Sequence, residues 1–199
     1  MESDADLLRA WQDGDAAAGE RLFDRHYRAV ARFFRNKVDG AIDDLVQTTF
    51  VGMLEAKDRF RGEGSFRSYA FGIAFNVLRT HYRGRRRDAQ VDFAVTSLRD
   101  LGAGPASMAA AKAEQRLLLE GLRRIPAEHQ SILELYFWEP LTAGEIAAVF
   151  DLPVGTVRTR IRRAKALLAE QIAEVGGQGE ALLSTTTSLE DWARQVRPQ

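Results

Sequence analysis

The chain has no cysteine among its 199 residues. That removes disulfides, thiolate metal sites and cysteine nucleophiles together, and it fits a reducing compartment. Histidine is scarce as well: His26, His81 and His129 stand alone, without the HExxH or HxE spacing of a hydrolytic zinc site. Neither a phosphate-binding glycine loop nor a Gly-x-Ser-x-Gly elbow is present, so no enzyme, metal or cofactor is expected. No apolar run approaches the ~18 residues that would cross a bilayer, and membrane insertion is not expected. The opening MESDADLLRAWQDGD is acidic, unlike a secretory signal. A cytoplasmic protein is the expectation.

The chain also lacks net charge: 28 basic residues balance 28 acidic ones. This argues against indiscriminate coating of nucleic acid, but the distribution matters more than the sum. Arg79 to Arg87 holds five arginines in nine residues, and Arg158 to Lys165 holds five basic residues in eight. Two separate basic clusters point to two separate contacts. Apolar residues make up 45% of the chain and charged residues 28%, the balance of a folded protein with a well-solvated surface.

The periodicity is helical throughout, and the fold class expected is all-α, with two helical domains joined by a flexible linker. A short helix over 3–12, capped by Ser3 or Asp4, turns Leu7, Leu8 and Trp11 to one side. A long helix over 16–38 carries Leu22, Phe23, Tyr27, Val30, Phe33 and Phe34. Ile42 to Lys57 carries Leu45, Val46, Phe50 and Leu54, with Asp43 and Asp44 in the first turn, where they suit the helix dipole. After a glycine loop at 61–64, Ser65 caps a helix of about twenty residues that ends in the first arginine cluster. Residues 88–108 lose periodicity and read as a net-acidic linker. Helices resume over 109–124 and 127–137. The boundaries are 1–87 for the first domain, 88–108 for the linker and 109–172 for the second domain. Residues 173–199 form an extension, in which Leu189, Trp192 and Val196 form an apolar stripe capped by Ser188 or Asp191; packing against the second domain is the expectation for it.

Within the second domain, LTAGEIAAVFDLPVGTVRTRIRRAKALL over 141–168 reads as a helix-turn-helix. Thr142 and Glu145 form a capping box, Asp151-Leu152-Pro153 breaks the helix, and Val157, Ile161, Ala164, Leu167 and Leu168 form the buried stripe of the second helix. Basic residues occupy its other faces. In a helix-turn-helix such a helix enters the DNA major groove; the other reading of the pattern is a solvated basic helix in an ordinary bundle.

These features in this order resemble the small extracytoplasmic-function (ECF) sigma factors of bacterial RNA polymerase. The first domain resembles sigma region 2 through GDAAAGERLFDRHY, Asp44-Leu45-Val46-Gln47 with Phe50, and SFRSYAFGIAFNVLRTHYRGRRR. The second resembles region 4 through Leu122-Arg123-Arg124-Ile125-Pro126, Glu145-Ile146-Ala147 and PVGTVRTRIRRAKALL. The chain departs from the family at Thr48, where an acidic residue is usual, at Tyr69, where Trp is common, and at Asp151, where Gly is common. Asp tolerates the left-handed conformation better than most residues, so the turn can survive there.

The resemblance implies core RNA polymerase, promoter DNA and an anti-sigma protein as partners. It places Asp44, Leu45, Gln47 and Phe50 against the polymerase clamp, with Leu45 and Phe50 either completing that patch or packing inward. It assigns the −10 element to Ser65, Phe66, Tyr69, Asn76, Arg79, Thr80 and Arg83. Asn76, Arg79, Thr80 and Arg83 share one helix face, while Phe66 and Tyr69 either line a pocket for a flipped base or belong to the core. It assigns the −35 element to Thr156, Arg158, Thr159, Arg160, Arg162, Arg163 and Lys165, with Arg160 and Lys165 the better candidates for phosphate. The alternative is a conventional helix-turn-helix regulator with an N-terminal sensing domain.

Overall fold

The structure is a computed structural model that describes residues 2–60, 64–85, 91–102, 113–175, 191 and 193–194, with Arg59 and Arg85 described by their backbone alone. The described residues form helices and turns and include no strand. In the N-terminal bundle, α1 (Asp4–Gln12), α2 (Ala16–Arg35) and α3 (Ile42–Ala56) are followed by a short 3-10 turn and α4 (Phe66–Arg85). The C-terminal bundle consists of α5 (Ala113–Arg124), α6 (Ala127–Trp138), α7 (Ala143–Phe150) and α8 (Val154–Val175). Residues 109–112, expected to begin α5, lie outside the described residues.

Local chemistry sets most helix ends. Ser3 and Asp6 form a reciprocal capping box on α1, and Asp15 accepts the Ala18 amide at the start of α2. Between these helices the Trp11 indole packs directly over Gly19, where a Cβ would come within 2.5 Å of it. Thr142 and Glu145 form the expected capping box on α7. Asp151 ends that helix in the left-handed conformation, at φ 52° and ψ 53°, and its amide donates to the Ala147 carbonyl. Val157, Ile161, Ala164, Leu168 and Ile172 make the buried stripe of α8, while Leu167 is half-buried.

The segment expected to be a flexible linker is, over its described residues 91–102, packed. Pro126 leaves α6 without a side-chain N-cap, and the amides of Ala127 and Glu128 donate instead to the carbonyls of Thr96 and Phe93, both at 2.9 Å. Phe93 is thereby set edge-on against Phe75 and Tyr82 of α4, and Leu98 is fully buried. Sparse periodicity concealed this, because two apolar residues used by turns leave no repeat to read.

The two bundles are docked through α4 and α7. Phe150 stacks edge-on to Phe75 at 4.6 Å, and one apolar core runs continuously from α1 to the start of α8. A second cluster lies wholly in the C-terminal half, around Leu118, Leu122, Phe137 and Leu168. Of the extension, Ser188, Leu189, Trp192 and Val196 lie outside the described residues. Ala193 is buried in the second cluster, and its carbonyl accepts the Trp138 indole N–H at 2.8 Å.

Gly19→Ala is expected to lower stability by about 1–3 kcal/mol through overpacking against Trp11. Gly155→Ala in α8, where a Cβ meets nothing within 4 Å, is expected to raise it by about 0.5–1 kcal/mol through lower unfolded-state entropy. Urea melts of the two variants should move in opposite directions.

Candidate nucleic-acid interface

Helix α8 buries one stripe and turns Arg158, Thr159, Arg162 and Arg163 to solvent, with Thr156 half-buried beside them. The three arginines have no ion pair among the described residues. Arg160 and Lys165 differ from them. Arg160 pairs with Glu128 of α6, and the Lys165 ammonium lies over the Tyr136 ring, 4.5 Å from its centroid. The cluster thus divides into arginines that face solvent and cations that tie α8 to α6. Burial, with Arg163 adding to it, holds the His129 ring below its ordinary pKa.

On α4, Asn76, Thr80 and Arg83 are exposed and Arg79 is half-buried, on the shared face that their spacing requires. The aromatic residues before them are placed otherwise. Phe66 is core, packed against His26 and Tyr69 with ring centroids at 5.1 and 6.0 Å, so of its two readings the inward one describes this structure. Tyr69 is half-buried, packs against Phe60 at a tilt, and donates its hydroxyl to the Met53 carbonyl at 3.1 Å. Burial, with Asp58 adding to it, pushes that phenol up to about 12, which keeps it a neutral donor. Residues 61–63 and 86–87 lie outside the described residues, so the loop before α4 is described only from Gly64 onward.

The start of α4 is covered by the C-terminal bundle. Gly64 faces Ala148, and Arg67 reaches Glu139. Burial pulls the Glu145 carboxyl upward, but hydrogen bonds from Ser65 and Thr142 outweigh it and hold that carboxyl below its usual range.

A third surface lies between α2 and α3. A groove of about 340 Å³ is lined by Phe23, Tyr27, Asp43, Val46, Gln47, Phe50, Val51 and Leu54. Of the four residues expected on a partner surface, Gln47 and Phe50 line it, Asp44 is exposed nearby, and Leu45 is buried in the core. Tyr27, Val51 and Leu54, which are 45, 46 and 52% exposed, were missing from that set. The spacing 47, 51, 54 signals Val51 and Leu54 with Gln47 as a second stripe on α3, distinct from the buried Leu45, Val46, Thr49 and Met53; Tyr27 joins it from α2.

Comparison with known proteins follows the same division. Residues 22–88 match the Sigma-70 region 2 family model, and residues 121–169 match Sigma-70, region 4. The chain is 30% identical over 181 residues to the ECF RNA polymerase sigma-E factor of Haemophilus influenzae, covering 85% of this chain and 95% of that one. It is 30% identical over 180 residues to the protein of the same name from Escherichia coli K12, covering 85% and 94%. Among solved structures, CnrH in complex with the cytosolic domain of CnrY matches with a TM-score of 0.55 and 26% identity, over 91% of this chain and 97% of that one. The sigma factor RpoE of Bartonella quintana, in complex with the anti-sigma factor NepR, shares the fold, with a TM-score of 0.60 and 18% identity over 77% and 96% of the two chains.

Burial lowers the pKa of both His26 and His129 from 6.5, so the folded chain holds these rings neutral longer than the unfolded chain does. The unfolded state then binds more protons, and the stability these rings supply is present above pH ~6.5 and lost as pH falls below it. His129→Gln should flatten this loss, as measured by urea melts at pH 7.5 and 5.5.

Proposed function

The chain belongs to the extracytoplasmic-function sigma factors, and from that membership we propose how its surfaces divide the work of promoter-specific transcription initiation. The chain binds core RNA polymerase through the apolar groove between α2 and α3. It recognises the −35 element with Arg158, Thr159, Arg162 and Arg163 of α8, and the −10 element with Asn76, Arg79, Thr80 and Arg83 of α4. It is an initiation factor with no chemistry of its own, and it acts in the cytoplasm. Among the described residues no helix is long and apolar enough to cross a membrane.

One observation carries this reading: two helices on separate bundles each present a row of arginine and hydrogen-bonding side chains to solvent. A single row would serve a simple operator binder. Two rows plus an apolar docking groove suit a protein that grips a bipartite element while held by a larger machine. An Arg fork on guanine O6 and N7 supplies about 1–3 kcal/mol of discrimination at one base pair. Arg160 and Lys165 hold the helix in place and lie within reach of backbone phosphate, which positions without reading sequence. An anti-sigma protein is the expected regulator, in keeping with the complex in which CnrH was solved.

The test is transcription by purified chain plus bacterial core polymerase from a promoter library. Start sites at a fixed distance from a shared two-part motif are expected, and Arg162→Ala should relax only the upstream half. Tight operator binding by the protein alone, with no polymerase binding, would overturn the proposal. Val51→Glu and Leu54→Glu in the groove should each weaken polymerase binding by about tenfold or more, a 1.4 kcal/mol effect. Both positions are exposed, so the melting of the free protein should stay unchanged.

A further inference from the structure

Glu139 follows α6, and its carboxylate crosses to two arginines of the N-terminal bundle. Arg32 of α2 donates to Oε1 through Nε at 2.9 Å and Nη2 at 2.7 Å. Arg67 of α4 donates to Oε2 through Nη2 at 2.7 Å. The carboxylate side chain is 5% exposed, against 16% for Arg32 and 33% for Arg67. The Arg67 Nε is buried and has no hydrogen-bond partner, so the arginine pair carries donor capacity that the carboxylate leaves unused.

Two guanidinium groups converging on one oxyanion are also the arrangement that holds a phosphate. A phosphodiester carries one negative charge on two free oxygens, as a carboxylate does, with room for further acceptors. Arg67 lies between Ser65 and Tyr69, which the sigma-factor resemblance assigns to the −10 element and its flipped base. While Glu139 fills the pair, α7 stands over Gly64 and Ser65. We propose that Arg32 and Arg67 form a binding site for a backbone phosphate of single-stranded DNA, and that Glu139 occupies it in the free chain and holds the bundles closed.

The closed contact is only partly apolar. Beside Glu139, Lys37 and Glu134 form a buried ion pair across the same junction. Charges withdrawn from water regain hydration on separation, so such a junction holds less firmly than an apolar core of the same size. A strand phosphate at Arg32 and Arg67 displaces Glu139 and frees the start of α4. The site rests on the sigma-factor reading only for the identity of the strand it receives.

The experiment uses the full chain and a fluorescent random-sequence single-stranded oligonucleotide pool. Glu139→Ala should tighten binding by about tenfold, within the usual range of coupling between sites. Adding Arg67→Gln or Arg32→Gln should abolish the gain, each lowering the slope of log affinity against log salt by about 0.7. Since the chain has no cysteine, dyes on Glu55→Cys and Ala166→Cys report the bundle separation by energy transfer. Transfer should fall when the oligonucleotide is added, and start low in E139A. Glu139→Gln provides the same readings if E139A fails to fold. Unchanged affinity in the folded variant, or a gain indifferent to Arg32 and Arg67, would overturn the site. Opening by millimolar inorganic phosphate as readily as by the oligonucleotide would overturn its assignment to DNA. Failure of polymerase-dependent transcription with the gain intact would remove the proposed function and leave the site standing. The reverse pattern would remove the site alone.

Discussion

Two carboxylates, Glu134 and Glu139, are withdrawn from water at the junction of the bundles, and the surrounding structure must supply their partners. An unpaired charge there would cost several kcal/mol. Lys37 meets Glu134 from just beyond the end of α2. Its ammonium also donates to the Phe33 carbonyl at 2.9 Å and lies over the Phe33 ring. Gln130 adds a second hydrogen bond to Glu134, at 2.8 Å. Burial pulls the lysine pKa down and the glutamate pKa up, while each partner opposes the other's shift. Arg32 and Arg67 serve Glu139 in the same way, so α2, α4 and α6 share one electrostatic junction.

Around that junction, apolar contacts set the geometry. Phe150 against Phe75 brings α7 to α4, and Phe93 joins them from the segment between the bundles. That segment also caps the start of α6 with its own carbonyls, so helix initiation and bundle docking depend on the same dozen residues. Acid from the second bundle meets the first at two points, Glu139 against Arg32 and Arg67, and Glu145 against Ser65. The functional consequence is a division of surfaces. The rows on α4 and α8 and the groove on α3 face solvent, while the start of α4 is covered.

Much of this was legible residue by residue. The α7 capping box, the Asp151 turn and the α8 stripe follow from patterns a few residues long, and they appear as expected except that Leu167 is only half-buried. The face shared by Asn76, Arg79, Thr80 and Arg83 follows from helical spacing alone. Roles within a face were not legible. Arg160 and Arg162 are alike in type and two residues apart, yet one meets Glu128 and the other meets solvent. Phe66 and Phe50 are both aromatic at helical spacing, yet one enters the core and the other lines a groove.

The sequence by itself determined the elements, their order, the two basic helices and the family, because caps, breakers and periodicity act over a turn or two of chain. Only the tertiary structure decided which charges pair and which stay free. Lys37 and Glu134 lie 97 residues apart, and Arg32 and Glu139 lie 107 apart. No local rule relates positions so distant. Whether a charge meets water or a buried partner depends on how two bundles dock, and that is settled by side-chain shape and desolvation across the whole junction.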